Sequence, residues 1–388
     1  MILPLADMAQ HSSTIIVGAG AAGLSVAYYL QQRGLPYLIL EQQTVGATWL
    51  QHYDRLHLHT LKAVSALPGL PLPSHFPAFV SATQFAAYLR EYAHHFTMAV
   101  HEGVAVHQAL WNTGGTTPYW WLTTSAGVFT CETLVVATGI WNTPHRPHLP
   151  GQEDFAGALL HANHYYIPNP FEGQRVLVVG AGNSGAEIAV DLAEHGIETG
   201  IVIRDGMNLV PYPTSATAMR VAAWAFRHLP HEPANWLLGR SRKRFEHLGI
   251  PPHPAGPIKA YPVVGSELPD AVAAGRVQVY GAIERLEAGR VRFADGQVLP
   301  FDSIILATGY RPSVGFVRDE LAFDAQGYPL LACYRSTINP HLFCVGFDYP
   351  TTEGWLQAIG RVAHQAVQEM LKPRPASAHA TQPIPDAA

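Results

Sequence analysis

Thr14-Ile15-Ile16-Val17-Gly18-Ala19-Gly20-Ala21-Ala22-Gly23 and Arg175-Val176-Leu177-Val178-Val179-Gly180-Ala181-Gly182-Asn183-Ser184-Gly185 are two copies of one pattern. Each is an aliphatic β-run, then G-x-G-x-x-G, then an apolar helical stretch, at 24–30 and at 186–193. The first glycine permits a tight turn, the second lets backbone approach a pyrophosphate, and the third lets helix pack on strand. Phosphate then faces a helix N-terminus, where free N–H groups and the helix dipole favour negative charge. One such loop carries little weight. Two, each between a strand and a helix, imply two dinucleotides in one chain, and hence electron transfer.

The strand after each loop separates the two sites. Tyr37-Leu38-Ile39-Leu40 ends in Glu41, a carboxylate placed to accept from ribose hydroxyls and to repel a 2′-phosphate, which suits FAD or NAD. Thr199-Gly200-Ile201-Val202-Ile203 ends in Arg204, whose forked guanidinium suits the 2′-phosphate of NADPH. Asp205 follows directly and weakens that preference.

A chain of 388 residues holds two or three domains. A net charge of −5 with 14% charged residues leaves no nucleic-acid footprint. Cys131, Cys333 and Cys344 form no close pair, which argues against a disulfide framework and against a dithiol relay. Residues 1–13 lack the pattern of a secretory leader, and no apolar run reaches membrane-spanning length. A soluble cytoplasmic protein without membrane or nucleic-acid partners is expected, with homodimerisation left open. His57 and His59 share one face of an extended segment, but no third ligand is evident, so no metal site is expected.

The expected fold is α/β, with two Rossmann-like dinucleotide-binding domains, the second inserted in the first. Leu134-Val135-Val136-Ala137-Thr138-Gly139 has a close echo in Ser303-Ile304-Ile305-Leu306-Ala307-Thr308-Gly309-Tyr310, which reads as a chain that crosses between domains and returns. The boundaries read as 1–170 for the first part of the outer domain, 171–282 for the inner one, 283–371 for the return and 372–388 for a Pro/Ala-rich tail. Residues 49–79 are irregular and rich in aromatics and histidine. A helical insert runs from Val221-Ala222-Ala223-Trp224-Ala225-Phe226 through Trp236-Leu237-Leu238 to Arg240, Arg242, Lys243 and Arg244. It reads as a packed, half-solvated helix. Leu356, Ile359, Val362, Ala363 and Ala366 mark a last amphipathic helix.

Phe155-Ala156-Gly157-Ala158-Leu159-Leu160-His161-Ala162-Asn163-His164-Tyr165 resembles the F-x-G-x-x-x-H-x-x-x-(Y/F) signature of class B flavin monooxygenases, and it precedes the second glycine loop as it does there. Baeyer–Villiger enzymes typically end it in Trp, so Tyr165 resembles the flavin-containing monooxygenase branch. Gly46-Ala47-Thr48-Trp49 is similar to that family's G-G-x-W element. Tyr53-Asp54-Arg55-Leu56-His57-Leu58-His59, Ile203-Arg204-Asp205, Val291-Arg292-Phe293-Ala294-Asp295-Gly296 and Ala307-Thr308-Gly309-Tyr310 resemble stretches of the plant YUCCA-type indole-pyruvate monooxygenases. The likeness covers residues 14–367.

The resemblance implies FAD at Gly18, Gly20, Ala22, Gly23, Glu41, Trp49, Thr138 and Gly139. It implies NADPH at Gly180, Gly182, Asn183, Ser184, Gly185, Arg204, Thr308 and Gly309. Trp49, Arg55, Thr60, Lys62 and His161 become catalytic candidates of a flavin-centred site, with Trp49 and Arg55 on the isoalloxazine or substrate side, and His161 equally reads as a strand or turn histidine that bonds nearby backbone in the linker between the two domains. Where many family members carry an Asn by the flavin, this chain reads His59-Thr60-Leu61-Lys62, as in the plant group. The implied reaction uses NADPH and O2 and passes through a flavin C4a-(hydro)peroxide. It either oxygenates a soft amine or thioether, or oxidatively decarboxylates a 2-oxo acid. The alternatives are Baeyer–Villiger insertion, which Tyr165 disfavours, and an NADPH oxidase or quinone reductase that transfers no oxygen. A non-enzymatic, redox-responsive nucleotide-binding regulator is a third class, disfavoured by two intact fingerprints.

Overall fold

A computed structural model of the chain describes residues 9–114, 117–228, 242–254, 262–347 and 355–373. Its helices are α1 (Ala21–Gln31), α2 (Ala47–Leu50), α3 (Ala82–His95), α4 (Asn183–Glu194), α5 (Ala216–His228), α6 (Glu267–Ala273) and α7 (Trp355–Met370). α1 and α4 are the two helices the glycine loops open. α5 takes in the first part of the expected insert, whereas Trp236, Leu237, Leu238 and Arg240 lie outside the described residues.

Two mostly parallel sheets organise the molecule. The first has seven strands, with Thr14–Val17 in its interior between Thr133–Val136 and Leu38–Leu40. The two strands Thr14–Val17 and Thr133–Val136 are buried along their whole length, as unbroken aliphatic runs require when both faces of a sheet are covered. On one face lie α1, α3 and α7, where Leu24, Val26 and Leu30 meet Ile359, Val362, Ala363 and Ala366. On the other face an antiparallel sheet contributes Trp111, Trp120 and Phe129.

The second sheet repeats this plan. Its five strands are all parallel, in the order Ala158–His161, Ser303–Leu306, Arg175–Val179, Glu198–Val202, Val277–Tyr280. α4 and α6 cover one face through Ile188, Leu192, Leu268 and Ala271. A three-stranded antiparallel sheet (Ile283–Glu287, Arg290–Phe293, Val298–Pro300) covers the other with Leu286, Val291 and Phe293.

The expected return to the first domain near 283 therefore differs from the observed path. Residues 283–306 stay with the second sheet, because Ser303–Leu306 pairs with both Ala158–His161 and Arg175–Val179. The chain crosses back only at Tyr310–Arg311, which pairs antiparallel with the outgoing Thr143–Pro144. The two Ala-Thr-Gly strand ends are twins in sequence but belong to different sheets.

The third glycine of each loop is under the tightest constraint. A Cβ at Gly23 would stand 1.9 Å from the Gly18 carbonyl oxygen, and one at Gly185 would stand 1.9 Å from that of Gly180. At Gly20 and Gly182 a Cβ would meet nothing within 4 Å. Gly185→Ala is expected to cost at least about 3 kcal/mol, the upper part of the overpacking range. Gly182→Ala should leave urea unfolding unchanged and weaken only dinucleotide binding. Equal midpoints for the two variants would contradict this.

Candidate functional site

Both glycine loops rest on the Ala-Thr-Gly strand ends. A Cβ at Gly18 (φ +104°) would lie 2.6 Å from the Ala137 oxygen, and one at Gly180 (φ +111°) 2.5 Å from the Ala307 oxygen. Only a glycine fits at either place. Gly20 and Gly182 are the N-caps of α1 and α4, with extended backbone and no side-chain cap. Each helix thus presents unsatisfied N–H donors toward open space. Both loops pass the test for a pyrophosphate cradle: backbone free to be approached, and a helix dipole behind it.

Glu41 reaches back over the first loop, its Oε2 accepting from the Ala19 N–H at 2.8 Å and its Oε1 from the Gln43 N–H at 3.0 Å. In the second loop the Asn183 side chain donates to the Pro262 carbonyl and accepts from the Val264 N–H, fixing the start of α4. Ala22 is buried within α1. Ser184 and Gly185 fall in the first turn of α4. Arg204 is 75% exposed on its side chain and pairs with Asp205 through Nε at 2.7 Å and Nη2 at 2.6 Å. That hydrogen bond holds the Asp205 carboxyl below its usual range.

The two crossing segments are fastened reciprocally. Thr138, at the end of a first-sheet strand, donates to the Ser313 carbonyl of the returning segment at 2.8 Å. Thr308, at the end of a second-sheet strand, donates to the His145 carbonyl of the outgoing segment at 2.5 Å. The Thr143 and Ser313 hydroxyls are 2.8 Å apart, and the His145 N–H donates to the Gly309 carbonyl at 2.9 Å. Gly139 and Gly309 turn the chain there with φ of +71° and +82°. Ala137 and Ala307 thus back the loops, while Thr138, Gly139, Thr308 and Gly309, expected as cofactor ligands, turn and fasten the crossings.

Beside these crossings lies a cleft of about 380 Å³, lined by Thr48, Gln51, His52, Trp141, Asn142, Asn163, His164, Tyr166 and Tyr310. Trp141 and Asn142 follow the first Ala-Thr-Gly, and Tyr310 follows the second. The cleft therefore sits where the two sheets' strand ends converge, the usual place for ligands in open α/β sheets. Burial lowers the pKa of His52 and pushes the Tyr310 phenol up to about 12, so both rings are neutral near pH 7. Tyr166 donates to the Leu50 carbonyl, and its own carbonyl accepts from the Asp54 N–H at 3.0 Å, tying 163–166 to the end of α2. Sequence reasoning passed over most of this lining, because Gln51, His52, Asn142 and Tyr166 belong to no motif.

The expected residues of 49–62 separate in space. Trp49, on α2, has its ring 4.9 Å from that of Phe85 and 5.9 Å from that of Trp141, so it backs the wall of the cleft. Arg55 does not face the cleft: it pairs with Glu194 on α4 and lies 3.9 Å from Asp191. Thr60 shares a 2.7 Å hydrogen bond with Ser65. Lys62 donates from Nζ to the carbonyls of Ser74 and Phe76. These two side chains shape the 59–76 loop. His59-Thr60-Leu61-Lys62 resembles a flavin-side element in sequence; Thr60 and Lys62 close their own loop, whereas His59 reaches Glu187 of α4.

His161 is fully buried at the end of its strand. Its Nδ1 accepts from the Asn163 N–H at 3.2 Å, so Nε2 carries the proton and donates to the Gly309 carbonyl at 3.0 Å. This signature histidine pins the second crossing rather than facing the cleft. Desolvation by burial holds its pKa below the ordinary 6.5. The unfolded chain then binds the proton more readily, so the stability from neutral His161 is complete above pH 6.5 and lost as pH falls below it. The drop in Tm between about pH 7.5 and about pH 5.5 should be smaller in His161→Gln than in the parent. Parallel pH curves would refute the lowered pKa of His161.

A family profile described as pyridine nucleotide-disulphide oxidoreductase matches residues 15–222. Indole-3-pyruvate monooxygenase YUCCA1 of Oryza sativa subsp. japonica is 35% identical over 318 residues, 77% of this chain and 77% of its own. Probable indole-3-pyruvate monooxygenase YUCCA4 of Arabidopsis thaliana is 32% identical over 373 residues, 92% of this chain and 90% of its own. The structure of a flavin-containing monooxygenase from Stenotrophomonas maltophilia has the same fold, with a TM-score of 0.75 at 23% identity over 93% of this chain and 98% of that one. Relatedness of this extent over most of both sequences makes the chain a member of the flavin-dependent monooxygenases, enzymes that work with FAD, NADPH and dioxygen.

Proposed function

We propose that the chain binds FAD on the first glycine loop and NADPH on the second, and that it oxidatively decarboxylates an aromatic 2-oxo acid. In this reading the first sheet is a Rossmann-like FAD unit, interrupted by a Rossmann-like NADPH unit built on the second sheet. The observation that carries the cofactor assignment is the pair of uncapped helix N-termini, followed by Glu41 in one case and Arg204 in the other. Gly18, Gly20, Gly23 and Glu41 would hold FAD. Gly180, Gly182, the α4 N-terminus and Arg204 would hold NADPH. Bound there, the two groups supply hydride transfer and oxygen activation, which no side chain of the cleft offers by itself.

The substrate class draws on the names of the plant relatives and on the walls of the cleft. Trp141, Tyr166 and Tyr310 offer aromatic faces to a planar ring, and Gln51, Asn142 and Asn163 offer amide donors to carbonyl and carboxylate oxygens. The balanced reaction joins R–CO–COOH, NADPH, H⁺ and O2 to give R–COOH, CO2, NADP⁺ and H2O. The residues' work in it is binding, orientation and exclusion of water.

Indole-3-pyruvate and phenylpyruvate should raise NADPH and O2 use and release stoichiometric CO2 with the acid one carbon shorter. Oxygenated product from an amine or thioether alone would overturn the substrate class. Stoichiometric peroxide with every compound would mean that coupled oxygenation fails. Arg204→Ala should raise the NADPH KM relative to the NADH KM by roughly tenfold, the lower end for a charge-assisted hydrogen bond at an exposed site. Asp205→Asn should shift preference the other way by freeing the guanidinium. Equal effects on both coenzymes would remove Arg204 from the 2′-phosphate site.

A further inference from the structure

The segment Tyr53-Asp54-Arg55-Leu56-His57-Leu58-His59 resembles a family element, yet none of its residues lines the cleft, which it meets through the Asp54 N–H on the Tyr166 carbonyl. The side chains of Tyr53, Arg55 and His59 meet one face of α4. Glu187, Asp191 and Glu194 stand four and three residues apart and so share that face. The Tyr53 hydroxyl donates to Glu187 Oε2 at 2.9 Å, and His59 Nε2 bonds Oε1 of the same carboxylate. Arg55 pairs with Glu194, with Asp191 at 3.9 Å and with Glu267 of α6 at 4.0 Å. From the signature segment, Tyr165 donates to Asp191 at 2.6 Å. The Glu187 and Asp191 side chains are only 11% and 10% exposed, and Tyr53 and Tyr165 are buried.

The lattice has one end at each site. α4 starts at the second glycine loop, one turn before Glu187. The 53–59 segment begins directly after Gln51 and His52, which line the cleft, and after Trp49, which backs it. A movement of α4 must then either drag the cleft wall with it or break several partly buried contacts at once. Hydride transfer falls steeply with small displacements of donor from acceptor, so a rigid link here has a direct chemical use.

We propose that Tyr53, Arg55 and His59, with Glu187, Asp191 and Glu194, form a clamp that sets the spacing between the two dinucleotide sites. They are positioning residues for reduction of the flavin. This inference rests on FAD at the first loop and NADPH at the second.

The test compares full-length, FAD-loaded protein with Tyr53→Phe, Arg55→Met and the charge exchange Arg55→Glu/Glu194→Arg. Reduction of the flavin by saturating NADPH is followed anaerobically, beside NADP⁺ affinity, FAD content and amide exchange across 49–60 in the apo-protein. The expected result is a fall of about tenfold to a hundredfold in the reduction rate for Arg55→Met. NADP⁺ affinity, FAD content and the rate of dithionite reduction stay unchanged, exchange across 49–60 rises, and the charge exchange recovers part of the rate. Tyr53→Phe removes one hydroxyl and no volume, so it gives the same readings should Arg55→Met not fold. An unchanged reduction rate overturns the clamp, as does a slowed rate that only tracks lost FAD or weaker NADP⁺. A parent enzyme that NADPH does not reduce would sink the cofactor reading instead.

Discussion

No atom fits between Gly23 and the Gly18 carbonyl, or between Gly185 and the Gly180 carbonyl, and everything else in the molecule is arranged around that closeness. The approach pulls each helix tight against its strand. It also leaves the preceding glycine as a bare N-cap, with donors aimed at space and no side chain to satisfy them. An uncapped N-terminus is costly in an ordinary helix. Here the same cost appears twice, at equivalent positions in two sheets of the same plan, each resting on an Ala-Thr-Gly strand end.

Duplication alone would give two independent nucleotide binders. The crossings make them one machine. Thr138 reaches the returning segment and Thr308 the outgoing one, so each sheet's strand end holds the strap that leaves the other. His161 adds a third fastener by donating to Gly309. Because these bonds are short and partly buried, the strand ends of the two sheets converge on one cleft at low entropic freedom. A stiff frame of this kind suits chemistry that depends on the distance between two bound rings.

What the sequence disclosed follows from how local each signal is. The glycine loops, the strands before them and the carboxylate or arginine after the next strand are read within some twenty-five residues, and the structure places them as read. The last helix was legible from its period, and Ile359, Val362, Ala363 and Ala366 are buried together. The return point was not legible, since Ser303–Leu306 has the same aliphatic pattern and the same Ala-Thr-Gly ending as its first-sheet twin, and only pairing tells them apart. The partners of the 53–62 stretch are hidden for a related reason. Resemblance preserves residue types, whereas direction is decided by partners far along the chain, such as Glu194 for Arg55. The cleft lining was hidden because it is assembled from the ends of several elements.

The acidic face of α4 shows why that interface cannot be incidental. Asp191 and Glu194 lie in the last turn of the helix, where the dipole already disfavours negative charge. No basic residue of the helix itself occupies that turn. His195 at the C-cap stands 3.7 Å from Asp191, and the remaining partners come from outside the helix, Arg55 to Glu194 and Tyr165 to Asp191. Part of the charge on this turn is therefore answered by the segment that walls the cleft. A helix with Lys in its last turn would be content alone and would bind the rest of the molecule less tightly. By leaving its own terminus unbalanced, α4 makes its electrostatic stability conditional on docking with the segment that walls the cleft.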